Sequence, residues 1–352
     1  MVTSSSQSRA ITLMVGLPHL RSGPLLARAR SLALPVLVSA NAFSRWVDAR
    51  QGREWAGWKL QGLKHAAGLH SLCLDSAGFS AMARYGGFPW TIDDYVALAS
   101  AYPFRWWASL DYCVEQEVAR DREEVLDRTA RTVRANIECH ARAVDRNIAS
   151  TFLSVIQGRL PQDYERCATA LAGLVERHTL IGVGSMCRRP IHGDAGLIAV
   201  VDHLDRVLPP AVRLHLFGVK GAAIPFLKPF ARRVASIDSQ AYGIAARSKA
   251  RAHGCRKSDD LVADEMERWV EQQLARLRQP ARSLPIAAPA IASPLRFDPW
   301  QEAIAQARED LRALIESGDL LGPADQIALL AASIERDQAD RRANPKSWRW
   351  SA

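Results

Sequence analysis

The chain has 352 residues, 48% of them hydrophobic and 24% charged, which is the composition of an ordinary globular protein with one large domain or two smaller ones. Its longest apolar runs are much too short to cross a bilayer. The apolar run near the N-terminus ends at Pro18 and lacks the length and the small-residue cleavage site of a secretory signal. We therefore expect a cytoplasmic protein that makes no contact with a membrane.

The formal net charge is +9, from 46 Lys and Arg residues against 37 Asp and Glu residues. A positive excess favours a polyanionic partner such as a nucleic acid, because phosphate contacts release counterions, although a generally basic surface would give the same total. No two of the six cysteines lie within three residues of each other. This spacing excludes a CxxC pair and argues against a disulfide framework.

Eight short apolar runs are predicted to be strands. In chain order they read ITLMVGLP, LPVLVSAN, HSLCLDS, RWWASLDY, STFLSVIQG, TLIGVGS, RLHLFGVK and RVASIDS. Amphipathic segments, such as residues 117–146 and 163–177, lie between them and are predicted to be helices. This alternation predicts an α/β fold with a parallel sheet. Eight strands within residues 10–250 favour a (β/α)8 TIM barrel, and an open doubly wound sheet is the alternative.

The pattern changes after Gly254. We expect a barrel domain over residues 1–254 and a helical C-terminal extension over residues 255–352. SDDLVADEMERWVEQQLARLRQ is an amphipathic helix with Ser258 as its N-cap. A Pro/Ala-rich linker at about 279–298 follows, and two more helices are predicted over 299–317 and 323–342. The extension could clamp a nucleic acid, dock a partner or cover the barrel.

Polar residues follow the predicted strands, where active sites of such barrels lie. Three strands end in an aspartate, at Asp75, Asp111 and Asp238, and another ends in Gln157. One such aspartate would usually be the N-cap of the next helix, but three at one edge favour a site. Paired carboxylates suit a reaction at a glycosidic bond, with one nucleophile and one acid/base. Glycines in the turns, such as Gly184, let the backbone approach a flat ligand.

Five of these segments resemble motifs of tRNA-guanine transglycosylases. DSAGF resembles their DSGGF/Y motif, LDYC their base-recognising aspartate segment, VIQG their QGG, GVGS their base pocket and SIDSQAY their nucleophile strand. The motifs stand in family order, each at a predicted strand end, and the resemblance covers about residues 10–250.

The resemblance implies a role for each matching residue. Asp238 would be the nucleophile that attacks C1′ of a nucleoside, and Asp75 would be the general acid/base. Asp111 and Gln157 would read the purine edge, because a carboxylate accepts from the N1–H and 2-amino donors and an amide both donates and accepts. Other residues implied to bind the base are Gly158, Gly184, Phe79 (which would stack on it), Ser76 and Tyr112 (which would line the pocket).

The sequence also departs from these enzymes. Ala77 replaces a glycine of the first motif, Ser80 replaces a glutamine, and Arg159 follows the Gln-Gly pair in place of a glycine. The CxCxxC…H zinc site of the tRNA enzymes is reduced to His253 and Cys255, so we expect no structural zinc of that type and no other cofactor. No C-terminal RNA-binding module is recognisable.

A barrel that keeps the base-exchange residues without those parts resembles the DNA-acting branch, the DpdA-like 7-deazaguanine DNA transglycosylases. This resemblance implies replacement of guanine in DNA by a 7-deazaguanine such as preQ0, with the target base flipped out or the duplex locally melted. Basic residues after the nucleophile strand would contact DNA phosphates, although a solvated loop is an equal alternative; they are Arg247, Lys249, Arg251, Arg256 and Lys257. Arg188 and Arg189 are a second candidate pair.

Three other functions stay open at this point. They are base exchange on tRNA, a hydrolytic glycosylase, and a non-catalytic nucleic-acid-binding subunit of a modification complex. The expected partners are DNA, with tRNA as the alternative, and a 7-deazapurine base. A partner ATPase that opens DNA and a homodimer are also expected possibilities.

Overall fold

A computed structural model describes residues 10–49, 52–115, 118–282 and 307. Its strands are β1 (Thr12–Leu17), β2 (Val36–Ser39), β3 (Ser44–Ala49), β4 (Gly52–Trp58), β5 (Leu72–Asp75), β6 (Trp107–Ala108), β7 (Phe152–Leu153), β8 (Val155–Ile156), β9 (Leu180–Val183), β10 (Arg213–Leu216) and β11 (Val234–Ser239). Its helices are α1 (Pro24–Leu32), α2 (Gly78–Tyr85), α3 (Ile92–Ser100), α4 (Arg122–Asp145), α5 (Pro161–Ala170), α6 (Ala172–Val175), α7 (Leu197–Val207), α8 (Ile224–Leu227), α9 (Ala241–Ala252) and α10 (Asp259–Arg278).

The main sheet is parallel and nearly closed into a barrel. Its strand order is β7-β6-β5-β2-β1-β11-β10-β9-β8. Only Ser154 separates β7 from β8, so these two short strands are the halves of one extended segment, and eight such segments surround the barrel axis. Each of the eight apolar runs contains one segment. The predicted (β/α)8 barrel is therefore confirmed, and the open doubly wound sheet is wrong.

The strands alternate between two buried faces, which explains why they are apolar almost throughout. In β1, Leu13 and Val15 belong to the large core between the sheet and the helices, whereas Met14 belongs to a small cluster inside the barrel. That inner cluster also contains Leu37, Cys73, Trp106, Ala108, Leu153 and Val155. It closes the barrel below the carboxyl ends of the strands, so polar residues at those ends sit on an apolar floor.

An antiparallel hairpin, β3–β4, lies between β2 and β5 and was not predicted from the sequence. Trp55 and Trp58 of β4 pack against Trp90 with ring centroids 6.1 and 4.9 Å apart. Trp46 of β3 packs on Tyr85 at 4.5 Å. The hairpin is stabilised by aromatic contacts with residues that are distant in sequence, which local patterning does not reveal.

The helix α10 packs on the barrel. Its N-cap is Ser258, as expected, since the Leu261 N–H donates to the Ser258 hydroxyl. Trp269 is buried and contacts Tyr242 of α9, while Arg28 of α1 pairs with Glu267. This helix therefore lies against elements of the barrel, although it falls within the predicted extension.

The rest of the predicted C-terminal extension lies outside the described residues. This applies to most of the linker at about 279–298 and to the helices over 299–317 and 323–342, apart from Ala307. The domain boundary at residue 254 stays a prediction. In the part of the chain that is described, no helix has the length and apolar character needed to cross a membrane.

Candidate active site

A pocket of about 190 Å³ opens at the carboxyl ends of the barrel strands. Its lining includes four acidic residues, Asp75, Asp111, Glu115 and Asp238. The described residues that line it include no lysine or arginine. The three aspartates that the sequence places at strand ends therefore meet in one pocket, because parallel strands bring their carboxyl ends to the same edge. This acidic lining suits a ligand that is rich in hydrogen-bond donors.

Asp238 is held from one side by the backbone. Its Oδ1 accepts the Gly218 N–H at 2.9 Å, and its backbone carbonyl accepts the Val219 N–H at 2.8 Å. The His215 Nε2 atom lies 3.4 Å from the same Oδ1. The other oxygen, Oδ2, has no hydrogen-bond donor among the described residues, so one oxygen is fixed while the other is available to a ligand.

Asp75 lies at the end of β5, separated from β11 by β2 and β1 in the sheet order. Its Oδ2 accepts the Ala77 N–H at 3.1 Å. Burial, followed by the negative charges of Asp111 and Asp238, raises the pKa of Asp75 to about 8. The side chain is partly exposed to the pocket. At neutral pH this carboxyl group is therefore protonated and can donate a proton to a ligand.

Asp111 is the centre of a buried hydrogen-bond network. Ser76 Oγ donates to its Oδ1, and Gln157 Nε2 donates to its Oδ2. Gln157 Oε1 accepts from Ser185 Oγ at 2.6 Å, and that hydroxyl accepts the Val114 N–H at 2.8 Å. Burial raises the pKa of Asp111, and the hydrogen bonds from Ser76 and Gln157 oppose the rise. The network fixes the orientation of a carboxylate whose second lone pairs can still accept from a base.

Gln157 has no exposed surface and lies behind Gly184. A Cβ atom at position 184 would stand 2.6 Å from Gln157 Cδ and 3.0 Å from Asp111 Oδ2. At Gly78, a Cβ would stand 2.7 Å from Asp111 Oδ1. Both glycines therefore let the backbone lie directly against the Asp111 network.

Replacing Gly184 by alanine should disturb this network. The new methyl group would clash with the Gln157 amide, which is fully buried in a closely packed interior, so the hydrogen bonds of the network would be distorted. If the pocket binds guanine, as the resemblance implies, that binding should weaken by about 10-fold or more, as for loss of one hydrogen bond to a charged group. Isothermal titration calorimetry measures this. The control is Gly173→Ala, where a Cβ meets no atom within 4 Å; equal weakening in both variants would contradict the prediction.

Ala77 adopts a left-handed conformation, with φ 71° and ψ 22°. It stands directly before α2, and its N–H donates to Asp75. This region of backbone space is strained for residues with a Cβ and relaxed for glycine. The departure from the DSGGF/Y motif therefore places strain in the turn that carries the Asp75 carboxylate.

Ala77→Gly should relieve this strain. We expect the free energy of unfolding to rise by about 0.5–1 kcal/mol, because the left-handed cost to alanine exceeds the entropy cost of glycine. Urea unfolding followed by circular dichroism measures the change. Ala130→Gly, at an exposed position within α4, is the matched control and should lower stability by up to about 1 kcal/mol. A drop in stability for both variants would refute the strain.

The other residues implied to bind a base lie at different depths. Phe79 lines the pocket and is 36% exposed, with the Arg188 guanidinium carbon 4.9 Å from its ring centroid. Tyr112 packs edge-on against Phe88 at 5.3 Å and is not among the lining residues. Gly158 lies deeper, where its carbonyl accepts from the Arg189 guanidinium at 2.8 Å.

Of the second basic pair, Arg189 is 1% exposed and binds backbone carbonyls. It therefore stabilises the turn after β9 and is not available to DNA.

The basic residues after β11 are all exposed: Arg247, Lys249, Arg251, Arg256 and Lys257. Lys249 pairs with Glu265 of α10 at 3.1 Å. Near the end of this run, Asp259 lies 3.6 Å from His19, in the turn after β1. Partial loss of water around its amino group, and then the charge of Arg247, lowers the pKa of Lys257 although the residue as a whole is exposed. The end of the run is thus close to the edge of the barrel where the pocket opens.

His253 and Cys255, which stand where the tRNA enzymes carry their zinc motif, are exposed between α9 and α10. In residues 10–49, 52–115 and 118–282, no group of three or more His, Cys, Asp or Glu side chains is arranged to hold a metal ion. The absence of a structural zinc of the transglycosylase type stays a prediction.

Several residues of the site were missed from the sequence. Ser185 completes the Asp111 network from a left-handed position, with φ 55°. The Gly218 N–H donates to Asp238, and His215 faces the same carboxylate. The pocket lining also includes Gln240 and Cys187. A signal existed for two of them, since Ser185 stands within the GVGS motif and His215 stands between two buried leucines of β10. The others depend on close approaches between separate turns.

Among models of known protein families, one matches this chain. The model of DpdA, described as DeoxyPurine in DNA protein A, matches residues 58–294, which is more than half of the chain. The match includes the turns that carry Asp75, Asp111, Gln157 and Asp238. A search of curated proteins found no match.

Proposed function

Because the chain belongs to the family DpdA, DeoxyPurine in DNA protein A, we propose that it exchanges guanine in DNA for a 7-deazaguanine base such as preQ0. One observation supports this most strongly. Asp238 and Asp75 face one pocket in different environments, the first with a free oxygen and the second held protonated by its surroundings. Two carboxyl groups with different tasks are what a two-step exchange at a glycosidic bond requires.

In the first half of the reaction, Asp238 Oδ2 attacks C1′ of the deoxyguanosine. The C1′–N9 bond breaks, its electron pair leaves with the guanine, and Asp75 donates its proton to that base. In the second half, the ionised Asp75 takes the proton from N9 of the incoming base. N9 then attacks C1′, and the ester bond to Asp238 breaks. The protons balance over the cycle, and the reaction needs no reactant besides the DNA and the incoming base.

Recognition of the base rests on the Asp111 network. The carboxylate of Asp111 accepts from the N1–H and 2-amino groups of guanine, which a 7-deazaguanine also carries. Ser76 and Gln157 hold this carboxylate in place, and the fully buried Gln157 acts from behind Asp111. Phe79, at the mouth of the pocket, offers an aromatic face for stacking.

Access to the pocket requires an extrahelical base. A base within a duplex cannot enter a pocket in the end of a barrel, so the target nucleotide must be flipped or melted. The exposed run Arg247, Arg251, Arg256 and Lys257 offers cations for the DNA backbone near the same edge. A partner ATPase and a homodimer stay predictions about how the duplex is opened.

The test is a nucleoside digest analysed by mass spectrometry. The protein is incubated with preQ0 and, separately, with single-stranded DNA, duplex DNA and tRNA. A 7-deazaguanine deoxynucleoside that appears with the active protein and not with Asp238→Ala would support the proposal. A modified ribonucleoside would identify tRNA as the substrate, and abasic sites formed without added base would identify a hydrolase. No product from any polymer would contradict catalysis by this chain alone.

A further inference from the structure

His215 is a fully buried histidine inside the barrel, directly below the pocket. Its Nδ1 lies 2.8 Å from Ser236 Oγ, and its Nε2 lies 3.4 Å from Asp238 Oδ1. The rings of Trp106 and Phe217 pack around it, with centroids 4.9 and 4.5 Å away. Within the described residues, Nε2 makes no hydrogen bond of good geometry. Burying a polar atom without a hydrogen-bond partner destabilises a protein. The polar group that Nε2 faces is the carboxylate of Asp238.

The backbone brings these three side chains together. The register between β10 and β11 shifts after Leu214, which pairs with Val234, so that His215 pairs with Ser236. Such irregularities re-aim side chains near active sites. Side chains alternate along a strand, so Ser236 and Asp238 both face the barrel interior on the side of His215. The result is a chain of polar groups that runs from Ser236 through His215 to Asp238.

The geometry favours one of the two neutral tautomers of the imidazole. If Nδ1 carried the proton, the lone pair of Nε2 would face the ionised carboxylate of Asp238 and repel it. If Nε2 carries the proton, Ser236 Oγ donates to Nδ1, and Nε2–H points to Asp238 Oδ1. Nδ1 then accepts a hydrogen bond, and Nε2–H faces a carboxylate oxygen 3.4 Å away. A second hydrogen bond of this kind fixes the tautomer of the histidine.

We propose that His215 is a positioning residue that holds Oδ1 of Asp238 and so directs Oδ2 towards C1′ of the nucleotide. This inference rests on the proposed function of Asp238. Oδ1 already accepts the Gly218 N–H, and His215 supplies a second donor on the inner side. The contact is 3.4 Å long, and we expect it to shorten when the nucleotide binds, as catalytic hydrogen bonds commonly do.

The same contact affects the covalent intermediate. A donor stabilises a carboxylate more than the carbonyl of an ester, because the carboxylate carries the charge. Nε2–H therefore favours departure of Asp238 in the second half-reaction, when the C1′–Oδ2 bond breaks and Asp238 regains its charge. Without this donor, the ester should be more stable relative to the free carboxylate. This distinguishes positioning of the nucleophile from a merely structural role in the barrel.

The experiment compares His215→Phe with His215→Gln in the full-length protein. Phenylalanine keeps a ring in the apolar site without a donor, whereas the Nε2 of glutamine can reach the place of the histidine Nε2. We expect His215→Phe to lower kcat by about 10- to 100-fold, with KM for the base changed by less than about 3-fold. The fraction of protein trapped as the covalent DNA adduct should rise. His215→Gln should recover most of kcat.

Two further measurements keep the test decisive. Ser236→Ala, the control for loss of the hydroxyl partner, should lower kcat less than His215→Phe does. The ¹⁵N spectrum of labelled histidine in the wild-type protein should show His215 with its proton on Nε2, and it does not depend on activity. Three results would overturn the inference, provided that the wild-type protein exchanges bases. They are an unchanged kcat in His215→Phe, an equal loss of kcat in the Phe and Gln variants, and a neutral His215 with its proton on Nδ1. Absence of wild-type exchange would instead count against the proposed function, while the ¹⁵N spectrum would still test the contact.

Discussion

Asp238→Asn should abolish base exchange and the covalent adduct together. The amide is nearly isosteric with the carboxylate and can still accept the Gly218 N–H, so the fold of the turn is retained. It cannot form the ester at C1′, because the amide oxygen is a poor nucleophile and carries no charge. We expect kcat to fall by at least about 10⁴-fold, because removal of a catalytic nucleophile typically lowers kcat by that factor or more. Product formation by mass spectrometry and adduct trapping on denaturing gels measure the two effects.

The matched control for this variant is Asp202→Asn. Asp202 lies on α7, is partly exposed and pairs with Arg206 at 2.8 Å, away from the residues that line the pocket. The Asp202→Asn variant should exchange bases at the wild-type rate. Adduct formation that persists in Asp238→Asn would show that another residue is the nucleophile, and the assignment of Asp238 would then be wrong.

The second large effect is the pH dependence that Asp75 should impose on guanine release. The raised pKa, about 8, comes from burial and from the charges of Asp111 and Asp238. The acid form is present below that pH and is lost above it. Single-turnover release of labelled guanine should therefore be constant below about pH 8 on this limb and should fall about tenfold per pH unit above it. Asp75→Asn should lower release by about 10²- to 10⁴-fold and remove the decline.

Stability provides an independent check of the same group. In the unfolded chain the carboxyl group titrates at its ordinary value of about 3.9, so between that pH and about 8 only the native state keeps the proton. The unfolded state then binds fewer protons, and the free energy of unfolding falls as the pH rises through this window. Asp75→Asn lacks this proton linkage and should lose less stability between pH 5 and pH 8. Urea unfolding at both pH values tests this, and parallel losses in both proteins would refute the raised pKa.

Much of the fold followed from local patterning. The eight apolar runs are the eight strand segments of the barrel, because segments buried on both faces must be apolar almost throughout. The β3–β4 hairpin did not follow from it, since its stability depends on Trp90 and Tyr85, which lie beyond the hairpin in the chain. The placement of α10 against the barrel was only one of three roles left open for the C-terminal extension, for a related reason. An amphipathic pattern predicts that a helix has a buried face without showing which surface covers it.

That three aspartates and Gln157 share one edge could be predicted from the sequence, because parallel strands of a barrel present their carboxyl ends together. What each of them contacts became known only from the three-dimensional structure. Gln157 lies behind Asp111, and Asp75 is held in the protonated form. A histidine from β10 faces the Asp238 carboxylate. These properties depend on distances between separate turns and on the loss of water around charged groups, and both are set by packing across the whole barrel.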